Sequence, residues 1–405
     1  MDKLIFHCDL NNFFASVNLL SYPEYTEKPV AVAGDIDARH GIILAKNQMA
    51  KGFGVSTGEP IFQSKQKCPD LIILKPQYDD YAKYSKIVFN IYTKYTDLVE
   101  PFGIDECFLD LTNSEKILGN PITVANKIKE DVKATTGLTI SVGISFTKAL
   151  AKLGSDMKKP DAITTLFKSE YFEKIKDFPV NTLIGIGNKT YEKLKHLNIR
   201  TISDLYHAND LLMKANFGVI GKELTDMARG ESSSVVRHFE DKQIPKSISN
   251  GITTPEDMPT LKSCYPIIYG LSEYLAVRLR EQNVHGRLIS VSLRKQDLSF
   301  IQKQNANALP IYSASNIAEN TIALISSFYN FSMPIRSISI AVGELESNQY
   351  NQLTLFENKQ EIFEEGLDKV RKKYGFSSIT RGIVKSKIAS ELLHNQGSDF
   401  KPFGH

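Results

Sequence analysis

The sequence predicts a multidomain α+β protein, and three observations support this fold class. Segments typical of strands and helices follow one another through residues 4–165 in the order strand, helix, strand, strand, helix, strand. That order is typical of a ferredoxin-like sheet with helices on one face. Residues 166–231 have the pattern of short helices separated by glycine, and residues 247–343 predict a second small α+β domain.

The composition is that of an ordinary globular protein. The chain has 405 residues, of which 42% are hydrophobic and 23% charged, so it can bury the cores of two to four domains. Its net charge of +3 permits nucleic acid as a partner without requiring it. The four cysteines form no Cys-x-x-Cys pair, which predicts reduced thiols. No stretch approaches the roughly 20 apolar residues of a membrane span, and the N-terminal apolar run is too short for a signal peptide. We therefore expect a cytoplasmic protein without a membrane partner.

Residues 100–111 form an apolar stretch that is interrupted by two adjacent carboxylates, Asp105 and Glu106. In a strand, neighbouring side chains point to opposite faces, so both acids cannot be ordinary solvent-facing positions and one should face a cleft. Gly103 would allow a bend. The carboxylates suit Mg²⁺, which prefers hard oxygen ligands. An acidic hairpin tip between two short strands is the alternative, and a further carboxylate must decide between them.

Asp9 is the candidate for that further carboxylate. Residues 4–8 predict a strand that ends at Asp9, and residues 10–17 predict a helix with asparagine as its cap. An aspartate at this place is either a helix cap or a metal ligand. A ferredoxin-like sheet would bring Asp9 next to Asp105 and Glu106, and in that case Asp9 becomes a third ligand.

The segments between the two acidic sites predict a small hairpin and two helices. Residues 29–34 and 41–45 are the predicted strands, and residues 47–52 a short helix that carries Lys51. Lysines here lie either on a solvated helix face or against a triphosphate. Residues 78–98 predict a long helix whose aromatic stripe is most simply core.

The predicted sheet continues beyond the acidic strand. Residues 122–136 predict a helix, residues 139–144 a strand, and residues 145–160 a helix that ends in a basic turn. Pro160 restricts the preceding Lys159 to an extended conformation, which suits a side chain that reaches for an anion.

Residues 183–194 resemble a helix-hairpin-helix, a motif that binds DNA phosphates. Gly185 and Gly187 would let the backbone approach closely, and the N–H groups at the start of the following helix would meet a phosphate without reading sequence. Lys189 lies in that first turn. A looser copy at residues 217–224 strengthens the prediction.

The C-terminal part begins with a polar stretch of linker composition at residues 232–243. After the second α+β domain, residues 346–351 look too polar to pack. They precede an apolar cluster at residues 352–356, which is either residual packing or a short linear motif that docks in a partner's hydrophobic pocket. We favour the linear motif. Residues 362–374 predict one more charged helix.

Four short motifs, in a fixed order along the chain, are similar to those of a known protein family. They are Asp9-x-x-x-Phe13-Phe14-Ala15-Ser16-Val17, then Gly103-Ile104-Asp105-Glu106, then Ser145-x-x-Lys148-x-x-Ala151-Lys152, and finally Asp156-x-x-Lys159-Pro160. With them the chain resembles the Y-family translesion DNA polymerases of the DinB/UmuC-like type over about its first 345 residues. The resemblance implies a right-hand polymerase. Its parts would be a ferredoxin-like palm (1–10 and 79–165), small fingers (11–78), a helix-hairpin-helix thumb (166–231), a linker (232–243), an α+β little finger (244–345) and a tail (346–405).

The same resemblance implies the site residues. Asp9, Asp105 and Glu106, with the main-chain carbonyl of Leu10, would hold two Mg²⁺ ions, for which Mn²⁺ could substitute. Two metal ions stabilise the attacking and leaving oxygens of an in-line displacement. Phe14 would be the steric gate against a ribose 2′-OH, and Lys159 the triphosphate lysine.

Several positions depart from the family pattern. Gln48 and Lys51 stand where tyrosine and arginine are usual, and lysine lacks the bidentate fork of arginine, which predicts a weaker grip on the triphosphate. Asn18 stands where a glutamate is common and Thr147 where an asparagine is common. Lys148 and Lys152 are either phosphate or DNA contacts or surface lysines.

The implied activity is template-directed addition of deoxynucleotides to a primer, with bypass of damaged template, low fidelity and no proofreading. The implied partners are primer-template DNA, deoxynucleoside triphosphates and a sliding clamp, and we expect a monomer. The clamp-binding residues would be Gln352, Leu353, Leu355 and Phe356, followed by 49 further residues, 357 to 405.

Two other functions are consistent with parts of the sequence. A non-catalytic, clamp-tethered DNA-binding protein would bind primer-template without extending it, but an unused cluster of acids costs stability through like-charge repulsion. A nucleotidyl cyclase would also use a ferredoxin-like palm with paired acids. The helix-hairpin-helix segment and residues 352–356 favour DNA as the substrate.

Overall fold

The computed structural model describes residues 2–34, 41–112, 114, 119–233, 235–241, 244–347 and 359–385. The predicted clamp-binding residues Gln352, Leu353, Leu355 and Phe356 lie outside these ranges. The described residues form two compact units, which divide between residues 241 and 242, inside the predicted linker. Each unit mixes helices and strands, so the predicted α+β fold class is confirmed.

The first unit contains two sheets and a helical region. Its strands are β1 (Ile5–Leu10), β2 (Val30–Ala33), β3 (Ile43–Lys46), β4 (Ile72–Leu74), β5 (Val99–Pro101), β6 (Glu106–Asp110), β7 (Ile140–Ser145) and β8 (Ile163–Leu166). Its helices are α1 (Phe13–Ser21), α2 (Gln48–Gly52), α3 (Ile61–Lys67), α4 (Tyr78–Tyr92), α5 (Pro121–Thr136), α6 (Lys148–Met157), α7 (Tyr171–Ile175), α8 (Asn188–His196), α9 (Ile202–Tyr206), α10 (Asp210–Phe217) and α11 (Val219–Arg229).

The larger sheet has the strand order β5-β6-β1-β7-β8, with β1 antiparallel to both β6 and β7. Every residue of β1 and β7 is buried. Such continuous burial requires cover on both faces. Helices α4 and α5 cover one face through a core that contains Phe6, Phe89 and Ile128.

The expectation that helices lie on one face only is therefore wrong. Helix α6 covers the opposite face of the larger sheet, and glycine at position 143 makes this possible. A Cβ atom there would lie 1.9 Å from the carbonyl oxygen of Ala151. Because Gly143 has no side chain, α6 packs directly against the backbone of β7.

The smaller sheet has the order β3-β2-β4 and confirms the predicted hairpin, since β2 and β3 are antiparallel. Its compact core includes Ala31, Ile43 and Ile61. Helix α2 starts after Asn47, whose side chain accepts a hydrogen bond from the backbone N–H of Ala50 at 2.9 Å. This cap stabilises the start of the helix.

Helices α7–α11 share a separate apolar core, which agrees with the predicted run of short helices. Residues 235–241, part of the predicted linker, pack on the first unit instead of extending freely. Val236 is buried with Ile5 and Phe108, and Phe239 lies edge-on to Phe89. The polar composition of this stretch gave no indication that Val236 and Phe239 pack against the first unit.

The second unit is a four-stranded antiparallel sheet with two long helices and a further C-terminal helix. Its elements are β9 (Ser247–Met258), α12 (Leu261–Glu281), β10 (Val284–Lys295), β11 (Phe300–Ile311), α13 (Ala314–Phe328), β12 (Ile335–Gly343), β13 (Glu346–Ser347) and α14 (Lys359–Tyr374). The strand order is β11-β10-β12-β9. Glu346 and Ser347 pair with β10, so the expectation that this polar segment cannot pack is wrong at its first two residues. Backbone hydrogen bonds, which are independent of side-chain polarity, hold them there.

The structure also corrects one predicted boundary. The long helix predicted over residues 78–98 ends at Tyr92.

All four cysteines are buried and free, as predicted. Within the described ranges, no helix is both long and apolar enough to cross a bilayer.

Candidate active site

The predicted catalytic and nucleotide-binding residues lie together around one cleft of the first unit, with a volume of about 310 Å³. The cleft is formed by the end of β1, the start of α1, the strand β3, helix α2 and the turn before β6. Its lining includes Asp9, Leu10, Phe14, Gln48, Lys51, Asp105, Glu106 and Lys159. Positions that are up to 150 residues apart in the chain therefore meet at one place.

The register of the sheet brings two of the acids face to face. Asp9 in β1 pairs directly with Glu106 in β6, and Asp9 is only 4% exposed. The predicted placement of these acids on neighbouring strands is confirmed. Directly opposed residues in an antiparallel pair have Cβ atoms about 5 Å apart, so the two carboxylates share one environment.

Asp105 does not lie in the strand, contrary to the expectation that it and Glu106 are successive strand residues. The backbone N–H groups of Phe102 and Gly103 both donate to the carbonyl of Glu106, at 2.9 and 3.3 Å. These bonds close a tight turn that ends just before β6. The carbonyl of Asp105 accepts from the N–H of Leu10 at 3.0 Å, which holds the turn against the end of β1.

Lysines of α6 and the turn that follows it neutralise this acidic group. The Lys152 ammonium lies 3.0 Å from Asp9 Oδ2 and 2.9 Å from Glu106 Oε1. The Lys159 ammonium lies 2.6 Å from the same oxygen of Asp9, and both lysines also contact Asp156. Sequence alone left the role of Lys152 open. The close packing of α6 on Gly143 is what places it between the two strands.

The three acids have different proton affinities. Burial, together with the negative charges of Asp9 and Glu106, raises the pKa of Asp105 to about 7. Burial also favours a higher pKa for Glu106, but hydrogen bonding to His7 and the charge of Lys152 outweigh it and lower the pKa to about 2. Burial raises the pKa of Asp9 despite the two lysines. Clustered like charges resist simultaneous ionisation, and this cluster shows the effect.

The donor set fits divalent cations of the Mg²⁺ type. Three carboxylates with perturbed pKa values offer only hard oxygen ligands, and a divalent cation would relieve their repulsion. Among the described residues, no three side chains of the His, Cys, Asp or Glu types form a preassembled metal shell. In this arrangement Asp9 and Glu106 are instead drawn toward the Lys152 ammonium.

Phe14 is held firmly at the cleft. Its half-buried ring stacks on Tyr81 with centroids 4.1 Å apart and planes 8° apart. The Tyr81 hydroxyl donates to Asn18 Oδ1 at 2.5 Å, and the Asn18 amide donates to the carbonyl of Lys75 at 2.9 Å. Asn18, which departs from the family pattern, therefore holds Tyr81 in place, and Tyr81 in turn stacks on the ring of Phe14.

The opposite wall of the cleft is basic. Lys46 and Lys51 both line it, and burial, followed by the charge of Lys51, lowers the pKa of Lys46. Two ammonium groups that repel one another favour an anion between them. Gln48 lies beside them, with its amide 3.5 Å from Asn12 Oδ1.

The predicted helix-hairpin-helix lies apart from the cleft residues, at the start of α8. Gly185 has a φ of +83°, a conformation that side chains other than glycine rarely adopt. Gly187 is the N-cap residue of α8, and Lys189 in the first turn is exposed. A Cβ at either glycine would meet nothing within 4 Å, so the backbone of this loop is open to a ligand.

Two other polar residues near the cleft have structural partners. Lys148 pairs with Glu100 at 2.5 Å, which favours the structural alternative for this lysine. The Thr147 hydroxyl caps α6 by accepting from the N–H of Leu150 at 3.3 Å.

Sequence reasoning missed His7. It lies two residues before Asp9 and so on the same face of β1. Its imidazole Nε2 is 3.3 Å from Glu106 Oε2. The strand alternation was the available signal.

Comparison with known proteins identifies relatives along nearly the whole chain. The model of the impB/mucB/samB family matches residues 8–156, and that of the impB/mucB/samB family C-terminal domain matches residues 245–355. A protein of Acetivibrio thermocellus called DNA polymerase IV is 40% identical over 391 residues, covering 95% of this chain and 98% of its own length. A Bacillus subtilis protein called DNA polymerase IV 1 is 33% identical, covering 96% and 95%.

A solved structure has the same fold. It is a Y-family DNA polymerase chimera with a TM-score of 0.74 and 24% identity, which covers 85% of this chain and all of the chimera. The predicted right-hand fold class is therefore confirmed.

Proposed function

The chain belongs to the impB/mucB/samB family and is a DNA-directed DNA polymerase of the Y family, and on this premise we propose that it extends primers across damaged template by two-metal-ion catalysis. The observation that carries the proposal is the meeting of Asp9, Asp105 and Glu106 in a cleft that also holds Phe14 and Lys159. Residues 1–10 and 79–165 would act as palm, 11–78 as fingers, 166–231 as thumb and 244–345 as little finger.

The metal site would use the carboxylates of Asp9, Asp105 and Glu106 and the main-chain carbonyl of Leu10. When bound, two Mg²⁺ or Mn²⁺ ions would stabilise the charge that develops on the attacking and leaving oxygens. Despite burial, the contact with His7 and the charge of Lys152 lower the pKa of Glu106, which favours the carboxylate form that a cation would bind. Asp105, whose pKa is raised to about 7, would lose its proton on binding a cation.

The basic wall would bind the triphosphate of the incoming nucleotide. Lys159 approaches from one side of the cleft, and Lys51, with Gln48 beside it, from α2. Lysine binds phosphate as a point charge and without bidentate geometry, so the charge is kept while orientation is less restricted. Phe14 would contact the sugar and exclude the 2′-OH.

DNA outside the cleft would be bound through its backbone. Gly185, Gly187 and the exposed Lys189 are suited to a phosphate at the start of α8, a contact that carries no sequence information. Such binding fits an enzyme that must copy any template. We propose a cytoplasmic monomer of low fidelity that leaves its errors uncorrected.

Primer extension in the presence of Mg²⁺ tests the catalytic proposal. Wild-type protein should add deoxynucleotides to a primer on undamaged and on damaged templates, whereas the Asp105→Ala/Glu106→Ala variant should bind the same DNA without extending it. Extension by the double variant would overturn the assignment of the acids. Binding without extension by the wild type would favour the non-catalytic alternative, and conversion of free triphosphate without primer would favour the cyclase.

We also propose that residues 352–356 recruit a sliding clamp, a proposal that the sequence alone supports. Leu355 and Phe356 would fill an apolar pocket of the clamp. Addition of the clamp should increase the length of the products made by the wild type but not by a Leu355→Ala/Phe356→Ala variant. The two proteins should be equally active without the clamp, and equal stimulation of both would contradict the proposal.

A further inference from the structure

We propose that His7 is a positioning residue that orients the Glu106 carboxylate for metal binding; the inference rests on the proposed two-metal function. The carrying observation is a buried contact between two side chains. His7 is 0% exposed, and its Nε2 lies 3.3 Å from Oε2 of Glu106. Both atoms are buried, and among the described residues neither has a partner at full hydrogen-bond geometry; they face one another at 3.3 Å.

The fold explains why this histidine faces the acid. His7 and Asp9 alternate with Cys8 along β1 and so lie on the same face, the face that α6 covers. Phe108, which pairs with His7 across the strands, packs against the imidazole with ring centroids 4.7 Å apart. The ring is therefore fixed in place by its surroundings.

The surroundings of both ring nitrogens bear on where the proton of His7 lies. His7 Nδ1 is 2.8 Å from the hydroxyl oxygen of Ser155. The Ser155 hydroxyl can also donate to the carbonyl of Lys152, 2.8 Å away, because a carbonyl that accepts a helical N–H keeps a second lone pair. If Ser155 donates to Nδ1, the neutral ring carries its proton on Nε2, and Nε2 donates to Glu106. The other tautomer would press a lone pair against a buried carboxylate, which is costly.

In this arrangement the two oxygens of the Glu106 carboxylate have different neighbours. Oε2 is directed to His7, while Oε1 is directed to Lys152 at 2.9 Å and to the cleft. Oε2 is a buried acceptor with Nε2 of His7 placed opposite it; without a donor there, the carboxylate would rotate to find another. Such supporting partners fix the orientation of metal-binding side chains.

The rival explanation is that His7 is only a packing residue bound to Ser155, and two substitutions separate these roles. The amide nitrogen of asparagine reaches about as far as Nδ1 of histidine, and that of glutamine about as far as Nε2. His7→Asn can therefore keep the Ser155 contact, whereas His7→Gln can keep the Glu106 contact. His7→Leu keeps neither.

The experiment measures Ca²⁺ binding by calorimetry and single-nucleotide addition with Mg²⁺, both on the protein bound to primer-template. For calorimetry, the primer ends in a dideoxynucleotide and the matching deoxynucleotide is present. We expect His7→Asn and His7→Leu to lower Ca²⁺ affinity and kcat by about 10- to 100-fold, with KM for the nucleotide little changed. His7→Gln should restore most of both.

Thermal unfolding of each variant supplies the structural control. If His7→Asn matches the wild type, or if Asn and Gln variants lose activity equally while remaining folded, the positioning role is overturned. Should the Gln variant not fold, Ser155→Ala gives a second test, because loss of the hydroxyl frees the tautomer and should weaken Ca²⁺ binding too; unchanged binding would contradict the proposal. Failure of the wild type to extend primers would instead refute the underlying function.

Discussion

At the scale of single residues, Phe14, the proposed steric gate, is held in place by its neighbours. Its ring has no freedom to tilt toward Tyr81, because the two rings are already in stacking contact. Tyr81 is fully buried and bound to Asn18. A ring supported in this way can discriminate sterically, since moving it would also disturb the core.

Substitution of Phe14 by alanine should therefore admit ribonucleotides. We expect the preference for deoxynucleotides, measured as the ratio of kcat/KM values, to fall by at least about tenfold, with primer extension by deoxynucleotides retained. Tyr81→Phe is the matched control, because it keeps the stacked ring and loses only the hydroxyl bond to Asn18. An unchanged sugar preference in Phe14→Ala would remove Phe14 from this role.

Glu100 is a second residue whose surroundings define its charge state, because it is bound by Lys148 and Arg237. Its carboxylate accepts from Lys148 at 2.5 Å and from the backbone and side chain of Arg237 at 3.0 and 3.1 Å. Burial favours a higher pKa, but these three donors outweigh it, and the pKa of Glu100 is lowered from 4.5. The contacts join the larger sheet, α6 and residues 235–241.

The lowered pKa predicts a pH-dependent stability. A carboxyl group whose pKa is lower in the folded state stabilises the protein above its unfolded pKa, and this contribution is lost as the pH falls through the folded pKa. Glu100→Gln should thus reduce the free energy of unfolding by about 2 kcal/mol at pH 7, with a difference that shrinks below pH 4.5. Denaturant unfolding at several pH values measures it. Asp97→Asn, at an exposed pair with His238, should have no comparable effect; a pH-independent loss in Glu100→Gln would contradict the account.

At the scale of elements, the C-terminal helix α14 is an integral layer of the second unit. Arg280 of α12 binds Asp368 through two bonds of 2.6 and 2.9 Å. Arg371 of α14 donates to Glu273 of α12 at 2.7 Å, and Arg381 lies 3.2 Å from the other oxygen of Glu273. Glu273 is 3% exposed and Arg371 8%, so the pair is almost completely removed from water.

Breaking this buried pair from one side should be costly. Arg371→Leu leaves the Glu273 charge with Arg381 as its remaining cationic partner, and we expect a loss of about 3–5 kcal/mol in the stability of the second unit. The double variant Glu273→Met/Arg371→Leu removes both charges and should recover most of that loss. Denaturant unfolding followed by a probe in the second unit measures both. A double variant no more stable than Arg371→Leu would contradict this expectation, because the Glu273 charge would then cost nothing without Arg371.

The sequence predicted the elements better than their junctions. Most strands and the long helices follow from apolar periodicity, which is a local property, whereas the short strands β4 and β8 and helix α3 were not predicted. Asp105 was misplaced because the turn before β6 depends on bonds from Phe102 and Gly103 to Glu106. The position of Lys152 depends on how closely α6 approaches Gly143, and His7 on a contact across strands. These are features of tertiary packing, which no single segment encodes.

At the scale of the whole molecule, the residues proposed for catalysis and those proposed for the little finger belong to separately folded units. The acids and the basic wall lie in the first unit, while the second unit has its own core and its own buried ion pairs. The proposed catalytic residues lie on β1, in the turn before β6 and on β6, and the lysines that contact them on and after α6, all within the first unit. The second unit is free to serve DNA binding in the proposed role of a little finger.

Counting bound metal ions tests the proposed two-metal site of Asp9, Asp105 and Glu106 most directly. Electron paramagnetic resonance can count bound Mn²⁺ in a complex of the protein, a dideoxy-terminated primer-template and the matching deoxynucleotide. We expect two Mn²⁺ ions per wild-type complex. The Asp105→Asn/Glu106→Gln complex should bind no more Mn²⁺ than the nucleotide binds by itself. If the wild type binds no more Mn²⁺ than the nucleotide does by itself, or if the variant equals the wild type, the two-metal account is contradicted.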